Sequence, residues 1–113
     1  MVNLDFQDKF RKIILKMEET GTLYAEAKGQ SWQMQELKGS VLASIINKTG
    51  ESVMSRAEII AKSSEEYQAY VKETAEVIKT ELKLKCEYEK WKCSFEALRS
   101  LSSLEKVTQN LSD

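Results

Sequence analysis

Apolar and small residues recur through the first half of the chain at Phe10, Ile13, Met17, Thr20, Tyr24, Ala27, Ser31, Met34, Val41 and Ile45, in steps of three or four, with Lys38 interrupting the series. That rhythm is the a/d pattern of a packed helical seam. Leu37, Leu42 and Ile46 widen the stripe beside it, which suits a globular contact better than a narrow two-stranded coil. The pattern predicts a helix over about residues 5–47, with Asp5 as its N-cap.

The second half repeats the theme with larger side chains. One stripe holds Tyr67, Tyr70, Val77, Leu84, Tyr88, Trp91, Phe95 and Leu98; a second holds Val71, Ala75, Ile78, Leu82, Cys86, Cys93, Ala97 and Leu101. Glu73, Glu76, Lys79, Lys83, Glu87 and Lys90 lie mostly opposite, so a broad apolar face predicts a helix over about residues 64–106, followed by a frayed tail at 107–113. Between the helices, Asn47-Lys48-Thr49-Gly50-Glu51-Ser52 is the punctuation, and Gly50 can take the left-handed conformation that ends a helix. Two capping boxes follow. Ser55-Arg56-Ala57-Glu58 predicts a short helix to about Lys62, and Ser63-Ser64-Glu65-Glu66 predicts the start of the long one. The connector is thus expected over about 48–63.

The expected fold class is all-α: a long antiparallel helical hairpin with a short connecting helix, one domain over residues 1–113. The second helix offers apolar residues over a wider arc than one partner covers. This points to a helical-bundle homo-oligomer, with Tyr67, Tyr70, Val77, Leu84, Phe95 and Leu98 as the self-association residues. Proline is absent and the four glycines all lie in the first fifty residues, which permits long helices. Gly21, Gly29 and Gly39 fall off the seam and are expected at tolerated surface positions, with a bend at Thr20-Gly21-Thr22 as the weak point of the first helix.

Composition narrows the chemistry. With 113 residues, one domain is expected. Lys and Arg number 17 against 18 Asp and Glu, a net charge of -1, so nothing draws the whole chain to nucleic acid or to an anionic membrane. Histidine is absent. That removes the commonest general base and zinc ligand, so triads, Cys/His dyads and His-containing metal sites cannot form within one chain. Two cysteines are too few for a secreted disulfide scaffold, and the charged N-terminal segment does not read as a signal peptide. A reducing cytoplasm, without a membrane span, is the expectation.

Cys86 and Cys93 share a helix face about 10 Å apart along the axis, too far for a bridge within the chain. They read as two small buried seam residues, with a disulfide or metal clip across a dimer axis as the alternative. Lys79, Lys83, Lys85, Lys90 and Lys92 surround Tyr88 and Trp91, the mixture that tracks a phosphate backbone and stacks bases. Glu81, Glu87 and Glu89 are interleaved among them, which equally describes a solvated charged face beside core aromatics. Lys9, Arg11, Lys12 and Lys16 form a second, modest basic cluster. No Gly-rich phosphate loop and no Glu-x-x-His metal pair is present. No catalytic residue, cofactor, metal or small-molecule substrate is therefore expected, and the chain does not read as an enzyme.

The segment Tyr24-Ala25-Glu26-Ala27-Lys28-Gly29-Gln30, continuing through Glu36, Lys38, Ser40, Leu42 and Ala43, resembles a family of small helical proteins of tailed bacteriophages and prophages. Arg56-Ala57-Glu58, Ala61, Ser63, Tyr67, Glu89, Trp91, Lys92, Ser100 and Ser103 carry the likeness further. Such genes often lie near those for DNA recombination or single-strand binding. The family commonly has arginine at the position of Lys92 and a more basic tail, whereas Leu104, Glu105, Val107 and Asp113 stand here, which weakens phosphate contact. The resemblance implies a cytoplasmic accessory factor of a bacterial host cell, acting in DNA recombination or replication through DNA, a recombination protein or its own copies. An inhibitor or adaptor aimed at a host defence or nuclease complex is the alternative.

Overall fold

The computed structural model describes the backbone of residues 2–112 and the side chains of residues 5–111. The protein is all-α: α1 covers Val2–Lys48, α2 Met54–Ser63 and α3 Glu65–Ser112. It is a long helix pair with a short connecting helix, and no strand occurs among the described residues.

Helix α1 begins before Asp5, so that carboxylate lies in the first turn instead of capping it. It still sits where the helix dipole favours a negative charge. At the weak point Thr20-Gly21-Thr22 the helix is not broken, and α1 is continuous through it. Thr20 there donates its hydroxyl to the Lys16 carbonyl at 2.7 Å, and Thr22 donates to Glu18 at 2.8 Å, so both stay within the helix hydrogen-bond pattern. At the other end the expected frayed tail is helical through Ser112, while Asp113 lies outside the described residues. After Gly50 the chain has neither glycine nor proline to stop a helix.

Gly50 takes φ +69, as a residue just past a helix end often does. The Thr49 N–H and hydroxyl both donate to the Ile46 carbonyl, at 3.1 and 2.7 Å, which satisfies an acceptor that the helix end would otherwise leave open. The turn then closes through Glu51 N–H to Thr49 Oγ1 and Val53 N–H to Glu51 Oε1, each 3.3 Å.

Neither capping box forms as expected. Val53, with no side-chain cap, precedes α2, and Ser55 already lies inside the helix. Glu58 turns forward to Lys62, with Nζ to Oε1 at 2.9 Å, instead of back to the helix start. For α3 the cap is Ser64 and not Ser63. The Ser64 hydroxyl accepts from the Tyr67 N–H at 3.2 Å and donates to the Ala61 carbonyl at 2.6 Å. Ser63 is still part of α2, so its hydroxyl donates to the Ile59 carbonyl. Glu66 is then free to meet Lys48, at 3.3 Å.

The contacts divide the chain into two compact units, Glu26–Leu82 and Met1–Ala25 with Lys83–Asp113. In the first, Ile45 of α1, Ala61 of α2 and Tyr67 of α3 form a core against which Val41, Leu42 and Ile46 pack. The inward residues of α2 are Ala57 and Ala61, whose small side chains let its backbone approach closely. The Tyr70 hydroxyl donates to the Met34 carbonyl. With Lys48 against Glu66, this fixes the two long helices as antiparallel within the unit. Buried Ser31 accepts from Gln35 at 2.9 Å, and Thr74 donates to Tyr70 at 2.8 Å, so these seam hydroxyls are not left unpaired.

In the second unit, Phe10 of α1 meets Phe95 of α3 with ring centroids 5.0 Å apart, edge to face. Tyr24 stacks on Tyr88 at 6.3 Å. The pairing is again antiparallel. Gly21 contradicts its expected surface role: it is half-buried beneath the Tyr88 ring, whereas Gly29 and Gly39 have open space around them. Gly21 follows the buried seam residue Thr20 by one position, about 100° round the helix, which brings it to the edge of the contact where the Tyr88 ring lies.

These packings give three of the expected self-association residues partners within the chain. Tyr67 is buried in the core of its own unit, Tyr70 bonds α1, and Phe95 packs on Phe10. Val77, Leu84 and Leu98 are half-buried on the same line of α3. Tyr67, Tyr70 and Phe95 thus serve the intrachain seam.

Candidate interaction surface

The two stripes of α3 have different fates. The line carrying Tyr88, Trp91, Phe95 and Leu98 is half-buried, whereas Val71, Ala75, Leu82, Cys86, Cys93, Ala97 and Leu101 of the second are exposed, with Ile78 half-buried. At 100° per residue, Cys93 and Ala97 lie about 160° round the helix from Phe95, so one partner helix cannot cover both lines. Cys86 and Cys93 are free thiols at the surface, which overturns the reading of buried seam residues. Their i,i+7 spacing does place them on one face, and that face is the outward one.

The basic candidates do not converge. Lys83, Lys85, Lys90 and Lys92 are all exposed. Lys83 and Lys90 follow one line along α3 and Lys85 and Lys92 another, and the lines are about 160° apart. Lys79 is exposed in the other unit. Tyr88 is half-buried, with its ring already packed against Gly21 and Tyr24 of α1. Trp91 is half-buried, and the Lys90 ammonium lies 5.2 Å from its ring centroid, a cation–π contact within one helix.

Two features escaped the sequence reading. Arg99 and Lys106 continue the line of Lys85 and Lys92 at seven-residue intervals, all four exposed. Their seven-residue spacing is visible in the sequence, but they lie outside the aromatic neighbourhood of Tyr88 and Trp91. The other feature is apolar exposure in the unit Glu26–Leu82: Trp32, Met54, Ile59 and Ile60 are turned to solvent. Trp32 belongs to no heptad line, and the isoleucines sit on a ten-residue helix whose inward positions are alanines.

Among the described residues, no group of three or more Cys, Asp or Glu side chains is placed to hold a metal ion. No helix among them is long and apolar enough to cross a membrane. Comparison with known proteins returns no matching family model, no similar curated protein and no similar solved structure.

Proposed function

We propose that the protein is a non-enzymatic accessory factor that works by protein contact, as a homo-oligomer presenting helical faces to a partner. The carrying observation is surface. The chain exposes 8705 Å² at 13.0 kDa, against about 6,300 Å² for a compact monomer of that mass. Large apolar side chains are part of that surface, among them Trp32, Met54 and Ile59 at about two-thirds exposure each (65%, 68% and 67%). Exposed apolar area of this kind marks a surface that meets another protein. The resemblance to phage accessory proteins supports DNA recombination or replication as the setting, or a host defence complex as the target.

The test is affinity capture from bacterial lysate with wild type and with Ile59→Asp/Ile60→Asp, which alters exposed positions. A partner retained by wild type and lost by the variant supports the reading. Equal retention by both, or none by either, removes it for this face. Direct nucleic-acid contact is the second reading, favoured by the exposed line Lys85, Lys92, Arg99 and Lys106. Fluorescence anisotropy with labelled DNA at two salt concentrations tests it, since phosphate binding must weaken as salt rises.

A further inference from the structure

We infer that the outer line of α3 from Cys93 to Leu111 is the seam through which two copies of this chain pair, antiparallel, about a two-fold axis near residue 102. The inference rests on the homo-oligomer reading above and gives it an orientation.

The line runs Cys93, Ala97, Ser100, Leu104, Val107, Leu111, in steps of four and three, a heptad register lying opposite the seam that α1 covers. Every residue on it is exposed. Leu104 is 62%, Val107 54% and Leu111 82% exposed, and Leu101 on its flank is 55% exposed. Glu96, Arg99, Ser100, Ser103, Leu104 and Val107 line an open groove of about 530 Å³ along it. A helix with apolar residues on two opposite sides is built to be covered on both.

Size and charge select both the occupant and its direction. The first half of the line is small (Cys93, Ala97, Ser100) and the second half large (Leu104, Val107, Leu111). Laid antiparallel on a second copy, Cys93 faces the partner's Leu111, Ala97 the partner's Val107, and Ser100 the partner's Leu104. Each contact then sets a large side chain against a small one, the arrangement that fills a helix interface without voids. On the flanks Leu101 meets its own copy, and Glu96 meets the partner's Asn110, so no like charges are opposed. Upstream the same line carries Lys83 and Lys90. A parallel pairing in register would place each of these against its own copy inside the seam, a like-charge arrangement that destabilises a helix pair. Antiparallel overlap of residues 93–111 leaves both lysines outside the contact. Four large exposed side chains from each copy bring the buried area to the order of 1,000 Å² in total, the lower end for specific interfaces, so the dimer should be concentration-dependent.

Light scattering after size exclusion, over a hundredfold range of concentration, tests the pairing with wild type and with Leu104→Glu. The expected result is a wild-type dimer at high concentration and a Leu104→Glu monomer with an unchanged helical circular dichroism spectrum. A dimer that survives Leu104→Glu overturns this seam while leaving self-association intact; a wild type that stays monomeric throughout overturns both. Orientation is read by mild oxidation in a Cys86→Ser background. Adding Leu111→Cys should give a covalent dimer through Cys93, and the background alone should not. Efficient cross-linking of the background through Cys93 alone would overturn the antiparallel arrangement.

Discussion

The ring of Tyr88 lies so close to Gly21 that a Cβ on the glycine would stand 3.1 Å from Cε1 and 3.3 Å from Cδ1. Contacts that tight require the ring to give by a few tenths of an ångström, and Tyr88 also stacks on Tyr24, three residues further along α1. Gly29 and Gly39 meet nothing within 4 Å. An alanine replacing a helical glycine at an open site stabilises by roughly 1 kcal/mol. Gly29→Ala and Gly39→Ala should therefore each raise the melting temperature by about 2–8 °C, and Gly21→Ala should gain less than either or lose stability. Thermal melts of the three variants check this; a Gly21→Ala gain equal to the others would show that the ring moves freely.

Ser64 and Ser63 are adjacent and chemically identical, yet only Ser64 caps α3. Ser64→Ala should cost about 1 kcal/mol, and Ser63→Ala less than about 0.5 kcal/mol. Urea denaturation of the two variants decides the assignment, since a cap at Ser63 would reverse the order.

The Tyr70 hydroxyl bonds a backbone carbonyl of α1 across the antiparallel pair. Removing it in Tyr70→Phe keeps the ring and its packing. The expected loss is about 0.5–1.5 kcal/mol at unchanged denaturant slope. A neutral Tyr70→Phe would mean that water replaces the bond without cost.

Lys62 is held above its ordinary pKa of 10.5, first by its hydrogen bond to Glu58 and then by the charge of that carboxylate, with burial acting weakly the other way. A raised folded-state pKa gives stability that is fully present below the unfolded value and lost as pH rises through the folded one. The stability difference between wild type and Glu58→Gln should therefore be small and constant from about pH 6 to pH 10, shrinking only above that. Chemical denaturation along a pH series measures it. A difference that shrinks near neutrality would assign the effect to another group.

The apolar lines were legible because they needed only counting, although which line of α3 is covered within the chain was not. All ten seam positions of the first half, from Phe10 to Ile45, are buried or half-buried, as are all eight of the first stripe of α3. Boundaries were less legible. The serine hydroxyls at 55, 63 and 64 offer equivalent caps in the sequence, and the choice among them depends on where α2 ends. The lysines around Trp91 looked like one patch in the linear sequence because helical angle separates neighbours in number.

The sequence by itself determined that the protein is helical, where its long helices run, and which lines of each are apolar, because helical periodicity follows from local backbone geometry. Only the tertiary structure decided that the second stripe of α3 stays uncovered, that Gly21 makes room for Tyr88, and that Ser64 and not Ser63 closes the connector. Those outcomes depend on which surfaces α1 can reach once it is packed. A single neighbouring helix covers one side of α3 and leaves the other side to solvent.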